Sequence, residues 1–256
     1  MKRVDLSKML EKIEGKILLS DKFHTSTNIK KLGSRRKNTP KSWIDIHYKT
    51  YPRLDRFAFP SKIFRNNHIE KLLKKRKTIR QFTKKPISKE DLIYILFMSN
   101  GLIRPGKNLN EVRRSYPSAG ARYPLEIYPL ILNCKGFNRG LYHYNLKRNL
   151  LELLIQKNLT DWLIKKTGNE KWLKKASVIF IITGVLDRTR IKYGDRGYRY
   201  ILIETGHLAQ NMILITTALG LGTCPIGGFV DDEVNKLLDI NLQKEVVLYL
   251  IAIGTI

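Results

Sequence analysis

Cysteine is nearly missing from this chain: Cys134 and Cys224 are the only two in 256 residues. Their wide separation offers neither a metal-ligand motif nor a disulfide framework. Acidic residues are scarce as well, 22 against 48 Lys and Arg, for a formal net charge of +26 at pH 7. No apolar run can cross a bilayer, because the longest, within 208–222, is broken by threonines and glycines. Residues 1–19 interleave charge with apolar side chains, unlike a secretory signal. There is no internal repeat, no low-complexity tract, and no HExxH or CxxC pattern. These absences point to a cytoplasmic globular protein without a resident metal and with no membrane span. The surplus charge is scattered, without the aromatic interleaving of an RNA-binding face or a helix-turn-helix spacing. It therefore favours solvated basic faces, or an acidic peptide or phosphate partner, over nucleic acid.

Apolar residues make up 43% of the chain, enough for one substantial core. Residues 1–62 are strongly basic and hold too few apolar residues to fold alone, so they read as an arm draped over a domain spanning 63–256. Within the arm, Val4 to Leu19 reads as a short amphipathic helix, FHTSTNIKKLGSRRKNTPKSW as loop and HYKTYPRLDRFAFP as extended. In the domain, HIEKLLKKRKTIRQF reads as a helix ending in the cations Lys74, Lys75, Arg76, Lys77 and Arg80, and Ser88 with Asp91 three residues on reads as the capped start of the next, which ends at Gly101. Residues 102–116 read as loop and LEIYPLILN as a strand. RGLYHYN and NLLELLI form a hairpin across a Lys-Arg-Asn turn, and LTDWLIKKTG is a helix. SVIFIITG is continuously apolar and β-branched, the pattern of a central strand covered on both faces. DRTRIKYGDRG reads as a polar loop, DDEVNKLLDI as a short helix and VVLYLIAIG as the last strand.

The stretch Arg196–Phe229 dominates the pattern. Ile201, Leu208, Met212, Ile215 and Leu219 recur with a helical period. Further apolar residues cover most of the remaining surface, so the helix is expected to be surrounded by protein. Glu204, His207 and Asn211 form one narrow polar stripe, in which His207 reads as a packing residue rather than a catalytic group. Gly220 and Gly222 end the helix, and Gly227–Gly228 allow close approach of something flat. Strands and helices mix without regular alternation, which favours an α+β core with helices on both faces of one sheet.

KKRKTIRQF, PSAGARYPLEIY, KYGDRGYRY with ETGHLAQN, and GLGTCPIGGF together resemble the FMN-dependent nitroreductase superfamily. More narrowly they resemble its SagB-type branch, the thiazole/oxazole-forming peptide dehydrogenases. The likeness covers roughly 63–254, and FHTSTN and HYKTYP…FP are similar to that branch's N-terminal extension. It implies a dimeric nitroreductase-like fold with a mixed, largely antiparallel sheet and FMN at the interface between the two subunits. Arg76, Lys77, Thr78 and Arg80 then resemble the motif that grips the FMN phosphate, where guanidinium forks and a hydroxyl suit a dianion. Pro117, Ser118, Ala119 and Gly120 resemble the turn lining the isoalloxazine. Ala121 and Arg122 stand where many nitroreductases carry an asparagine or glutamine. Pro225, Ile226, Gly227 and Gly228 resemble the loop that crosses the flavin and offers a backbone N–H near N5. Cys224, beside that loop, reads as a packed, inert thiol. Lys192 and Tyr193 resemble the pair that supplies the base for azoline oxidation, a phenol becoming a usable base when a cation lowers its pKa. Arg196 and Arg199 rank behind Arg76 for phosphate, or would pair with Glu204. The sequence as given stops at Ile256, without the C-terminal Lys/Arg segment that completes many nitroreductase phosphate sites, so another cation is expected to substitute.

The resemblance thus implies an FMN-dependent homodimer that dehydrogenates thiazolines or oxazolines in a ribosomally made peptide, with a cyclodehydratase as a partner. Two alternatives stay open at this level. One is an NAD(P)H-dependent nitro/quinone-type reductase acting on a small-molecule substrate. The other is a flavin-free basic protein holding an acidic peptide or nucleic acid.

Overall fold

The computed structural model describes residues 17–32, 48–59, 63, 65–106, 111–168 and 171–256. The helix expected from Val4 falls mostly outside these residues, and the boundary expected between 62 and 63 adjoins others that do. In chain order the elements are α1 (Leu19–Thr27), α2 (His68–Lys75), α3 (Lys89–Asn100), β1 (Leu102–Arg104), β2 (Arg113–Arg114), β3 (Leu125–Ile131), β4 (Gly140–Asn145) and β5 (Leu150–Ile155). They continue with α4 (Thr160–Lys166), β6 (Val178–Val185), α5 (Asp187–Tyr193), α6 (Arg196–Ala218), β7 (Gly222–Ile226), α7 (Asp231–Leu238) and β8 (Glu245–Gly254).

The core is one six-stranded sheet in the order β5-β4-β3-β6-β8-β7. Every pairing among these strands is antiparallel, in keeping with the largely antiparallel sheet expected. The alternation of side chains along β6 builds two half-cores. Val178, Phe180 and Ile182 face α3 and α6, meeting Leu92, Ile95, Leu208 and Met212. Ile179 and Ile181 face the other way, toward Leu163 and Ile164 of α4 and Val234 and Leu238 of α7. Both faces of β6 are therefore covered, as its apolar run requires, and each fully buried side chain of this size contributes about 1.5–3 kcal/mol. The long helix crosses the sheet at Gly184, where an added Cβ would lie 2.8 Å from Ile201 and 2.9 Å from Leu248. Only a glycine allows so close a crossing.

Local signals account for most boundaries. Ser88 accepts the Asp91 N–H at 2.9 Å and caps α3, and Gly101 closes it. Asn67 does the same for α2 through Glu70 N–H. Five stretches depart from the pattern read in the sequence. The helix expected over 68–82 stops at Lys75, because Thr78 bridges Thr223 instead. Phe23–Thr27 belong to α1 rather than to a loop, and 102–116 contains the short β1–β2 pair. The polar run after β6 is helix α5, with Thr189, Arg190 and Ile191 buried. Gly222–Ile226 is an edge strand rather than a turn, with Pro225 tolerated because its missing N–H costs no ladder bond at an edge. Helix α6 is also covered on one side only: Leu202 is 40% and Ile203 51% exposed.

The segment before α2 is docked through α1. Ser20 donates both its N–H and its hydroxyl to Asp195, at 2.9 and 2.6 Å. Asp21 pairs with Arg190 at 2.5 Å, and His24 Nδ1 meets the Tyr198 hydroxyl at 2.8 Å. Ile29 and Asp231 exchange backbone and carboxylate bonds below this.

Candidate active site

Two groups of residues singled out in the sequence are each brought together by the fold. The first joins the turn before β3 to the end of α5. Gly120 sits in a single 3₁₀ turn at φ 60°, ψ 23°. A Cβ on Gly120 would lie 2.7 Å from the Tyr193 hydroxyl and 3.0 Å from Lys192 Nζ. Gly120 and the Lys192–Tyr193 pair are thus packed together, although more than seventy residues separate them. Lys192 and Tyr193 occupy the last turn of α5, which Gly194 ends at φ 56° with its N–H on the Arg190 carbonyl at 2.7 Å. Lys192 Nζ lies 5.3 Å from the Tyr193 ring centroid. The same ring meets Tyr200 of α6 edge-on at 5.0 Å, which fixes its plane.

The turn itself is held in a sparsely populated conformation. Gly120, Ala121 and Tyr123 all have positive φ, and for the last two that costs about 1–3 kcal/mol each. Hydrogen bonds oppose this: the Ser118 hydroxyl accepts the Tyr123 N–H at 2.8 Å, and the Ser118 carbonyl accepts the Ala121 N–H at 3.0 Å. Arg114 anchors the approach to the turn, donating to Asn100, the Tyr116 hydroxyl and the Leu125 carbonyl. Asn211 of α6 reaches Ser115. A cavity of about 410 Å³ opens beside the turn, lined by Arg122, Tyr123, Arg188, His143 and Lys147 among others.

The second group lies at the β7 edge. Thr78 forms a parallel bridge with Thr223, and Ile79 donates to the Thr223 carbonyl at 2.9 Å. This seats the cations Arg76, Lys77 and Arg80 along the strand that leads into Pro225, Ile226, Gly227 and Gly228. Arg76 is half-buried at the end of α2, while Lys77, Thr78 and Arg80 are exposed. Gly227 and Gly228 are exposed between buried Ile226 and Phe229, with no atom nearer than 4.0 Å to a Cβ on either. That leaves a bare strip of backbone facing outward. Cys224 is buried in the sheet, as its packed thiol reading required.

The polar stripe on α6 does not act as one surface. Glu204 is buried at 2% exposure and Asn211 is half-buried, whereas His207 is exposed and does not pack within the chain. Arg196 stacks over Tyr200 at 5.8 Å, and neither it nor Arg199 pairs with Glu204. Sequence reasoning missed the Arg114 network and the clamp made by Ser20, Asp21 and His24. The spacing of these three along one helix turn was the only available signal.

The residues 73–255 match the nitroreductase family model. MJ1384 of Methanocaldococcus jannaschii, a protein with a nitroreductase name, is 34% identical over 73% of this chain and 90% of its own length. The microcin B17-processing protein McbC of Escherichia coli is 34% identical over 55% of this chain, which spans about half (53%) of McbC. Among solved structures, a chain of the E. coli microcin synthetase McbBCD complex with truncated pro-MccB17 bound superposes with a TM-score of 0.77. That match is 21% identical and covers 100% of this chain and 98% of the other. Fold and family define an oxidoreductase with a helix-covered antiparallel sheet. The chain belongs to the nitroreductase family.

Proposed function

We propose that this protein binds FMN and dehydrogenates thiazoline or oxazoline rings of a ribosomally made peptide to the aromatic azoles. The observation that carries the reading is the contact of Gly120 with the Tyr193 hydroxyl and Lys192 ammonium. It sets a candidate base and its cation against the turn expected to line a flavin ring. The reaction needs a proton taken from the ring α-carbon while two electrons and the other hydrogen leave the β-carbon. Bound FMN would supply the two-electron acceptor, itself reoxidised by O₂ or another acceptor. In this reading the Tyr193 oxygen receives the proton and Lys192 stabilises the phenolate form that makes it a base. The likeness to a microcin-processing protein supports a peptide substrate and a cyclodehydratase as companion enzyme.

The residues present suit FMN. Arg76, Lys77 and Arg80 with the Thr78 hydroxyl offer the donors a phosphate dianion needs. Gly227–Gly228 give a flat ring unobstructed access to main-chain N–H groups. These residues and the turn form two separate groups in one chain. We therefore place the cofactor between two copies, with the exposed Leu202 and Ile203 of α6 in the interface. Phe57 and Phe59, 88% and 90% exposed before α2, would find cover in the same way.

The direct test is the visible absorbance of the purified full chain, with heat release of the chromophore and light-scattering mass in the same run. About one FMN per chain in a dimer is expected. A colourless protein that also fails to take up added FMN would sink the reading. Arg76→Ala should weaken FMN binding by about tenfold or more, since a charge-assisted bond contributes about 1.5–3 kcal/mol; unchanged affinity by fluorescence titration would move the role to another cation. The likeness to MJ1384 along most of its length favours a second reading, an NAD(P)H-dependent nitro- or quinone-type reductase. Rapid flavin reduction by NAD(P)H without azoline turnover would select it.

A further inference from the structure

We propose that Glu204 is a positioning residue for this site: from α6 it holds the Ser118–Gly120 turn against the Lys192–Tyr193 pair. The assignment to a reaction rests on the function proposed above; the burial of the Glu204 carboxyl beside the turn does not.

The Glu204 carboxyl is sealed from solvent on both oxygens, and neither has a partner in full hydrogen-bond geometry. A buried carboxylate left so is costly unless something near it favours the charge. What lies near it is the turn: the Ser118 hydroxyl and the Ala119 N–H both favour its ionised form, as does Arg114, while burial opposes it more strongly. The Ser118 oxygen already accepts the Tyr123 N–H. Its own proton is therefore free to point at Glu204, giving a chain from Tyr123 N–H through Ser118 to the carboxyl. Tyr123, Ala121 and Gly120 are the residues held at positive φ, and Gly120 is the residue that touches Tyr193 and Lys192. The groups thus line up from a buried ionisable side chain, through the Ser118 hydroxyl, to the strained backbone and from there to the candidate base. Asn211, seven residues further along the same face of α6, supports the preceding Ser115 and marks this face as the seat of the whole loop.

Burial pushes the Glu204 carboxyl up to about 7, so its charge changes within the working pH range. Above that midpoint the carboxylate draws in the Ser118 and Ala119 donors and tightens the turn. Below it the neutral acid releases them. The groups bearing on it are Arg114 on β2 and Tyr116 just beyond, whose own hydroxyl burial holds protonated. On its own helix His207 is exposed and Tyr200 is turned to the Tyr193 ring.

The test uses the full chain labelled with ¹⁵N at tyrosine, the Tyr123 amide signal, whose N–H donates to Ser118, being identified by its loss in Tyr123→Phe. In the unsubstituted protein, with or without FMN, the Tyr123 amide shift should follow pH with a midpoint near 7. In Glu204→Gln that transition should vanish. Ser118→Ala should move the midpoint upward, because it removes a donor to the ionised form. A Tyr123 amide signal flat across this range in the unsubstituted protein, a transition that persists in Glu204→Gln, or an unmoved midpoint in Ser118→Ala would each overturn the proposal. None of these readings uses substrate. A failed azoline assay with an intact coupled transition would therefore remove the proposed reaction and keep the positioning role.

Discussion

Tyr193→Phe should keep its FMN and lose azoline oxidation by about 10²- to 10⁴-fold, the usual contribution of a positioned acid–base group. The substitution removes one oxygen and leaves the ring, so the edge-on packing against Tyr200 at 5.0 Å survives and a folding defect is not a ready explanation. Lys192→Ala should fall in the same range. It removes the ammonium that lies 5.3 Å from that ring and meets the same glycine. If Lys192 acts by making the phenol a better base, the two losses will not add, and the double variant should match the worse single one. Initial rates on an azoline peptide, with the flavin spectrum recorded on each variant, decide the matter. Full activity in both single variants rejects the assignment. Loss of flavin from either would show that the pair holds the pocket rather than the proton.

Asp21→Ala is expected to have the largest effect on stability. Its partner Arg190 is only 2% exposed, and the Arg190 Nε already lacks a partner. Removing one member of a buried ion pair costs about 3–5 kcal/mol, because the remaining charge stays desolvated. Asp21 is itself partly open to water. The strain should therefore be relieved by release of α1, so the full figure is an upper bound. For a domain of this size about 3 kcal/mol lowers Tm by roughly 6–12 °C. Trypsin should also cut at Lys22 faster than in the unsubstituted protein. Equal resistance in both would mean that the Ser20–Asp195 and His24–Tyr198 bonds dock the segment unaided. The clamp matters to the site because Asp195 and Arg190 flank Lys192 and Tyr193 in sequence.

The elements legible in the sequence are those in which burial dictates composition. Strand β6 is covered on both faces and had to be apolar throughout. The α6 period and the Ser88 cap are equally direct. What escaped is structure whose burial is polar. Helix α5 contains one strongly apolar residue and buries Arg190 through a carboxylate supplied from residue 21, which no local pattern reveals. Strand β7 carries Gly, Thr, Cys and Pro because it lies at an edge, and it reads as a turn for the same reason. The candidate site was legible as two motifs, through resemblance. Their physical pairing, Gly120 on Tyr193 and Thr78 on Thr223, depends on how α5 ends and where β7 lies, and both of those were misread. The burial of Glu204 was hidden because a stripe of polar residues looks uniform until something packs on part of it.

The strand order has a consequence for how the protein is made. β8 is last in chain order, yet it lies between β6 and β7. Until residue 254 has left the ribosome, one side of β6, the most apolar strand of the sheet, has no neighbour. The interval from β6 to the end of β8, about 70 residues, takes roughly 4–14 s at the usual synthesis rate of about 5–20 residues per second. Throughout that time an apolar strand edge is open to chaperones or to other nascent chains. Yield in a cell should therefore depend more on what shields that edge during synthesis than on the stability of the finished sheet.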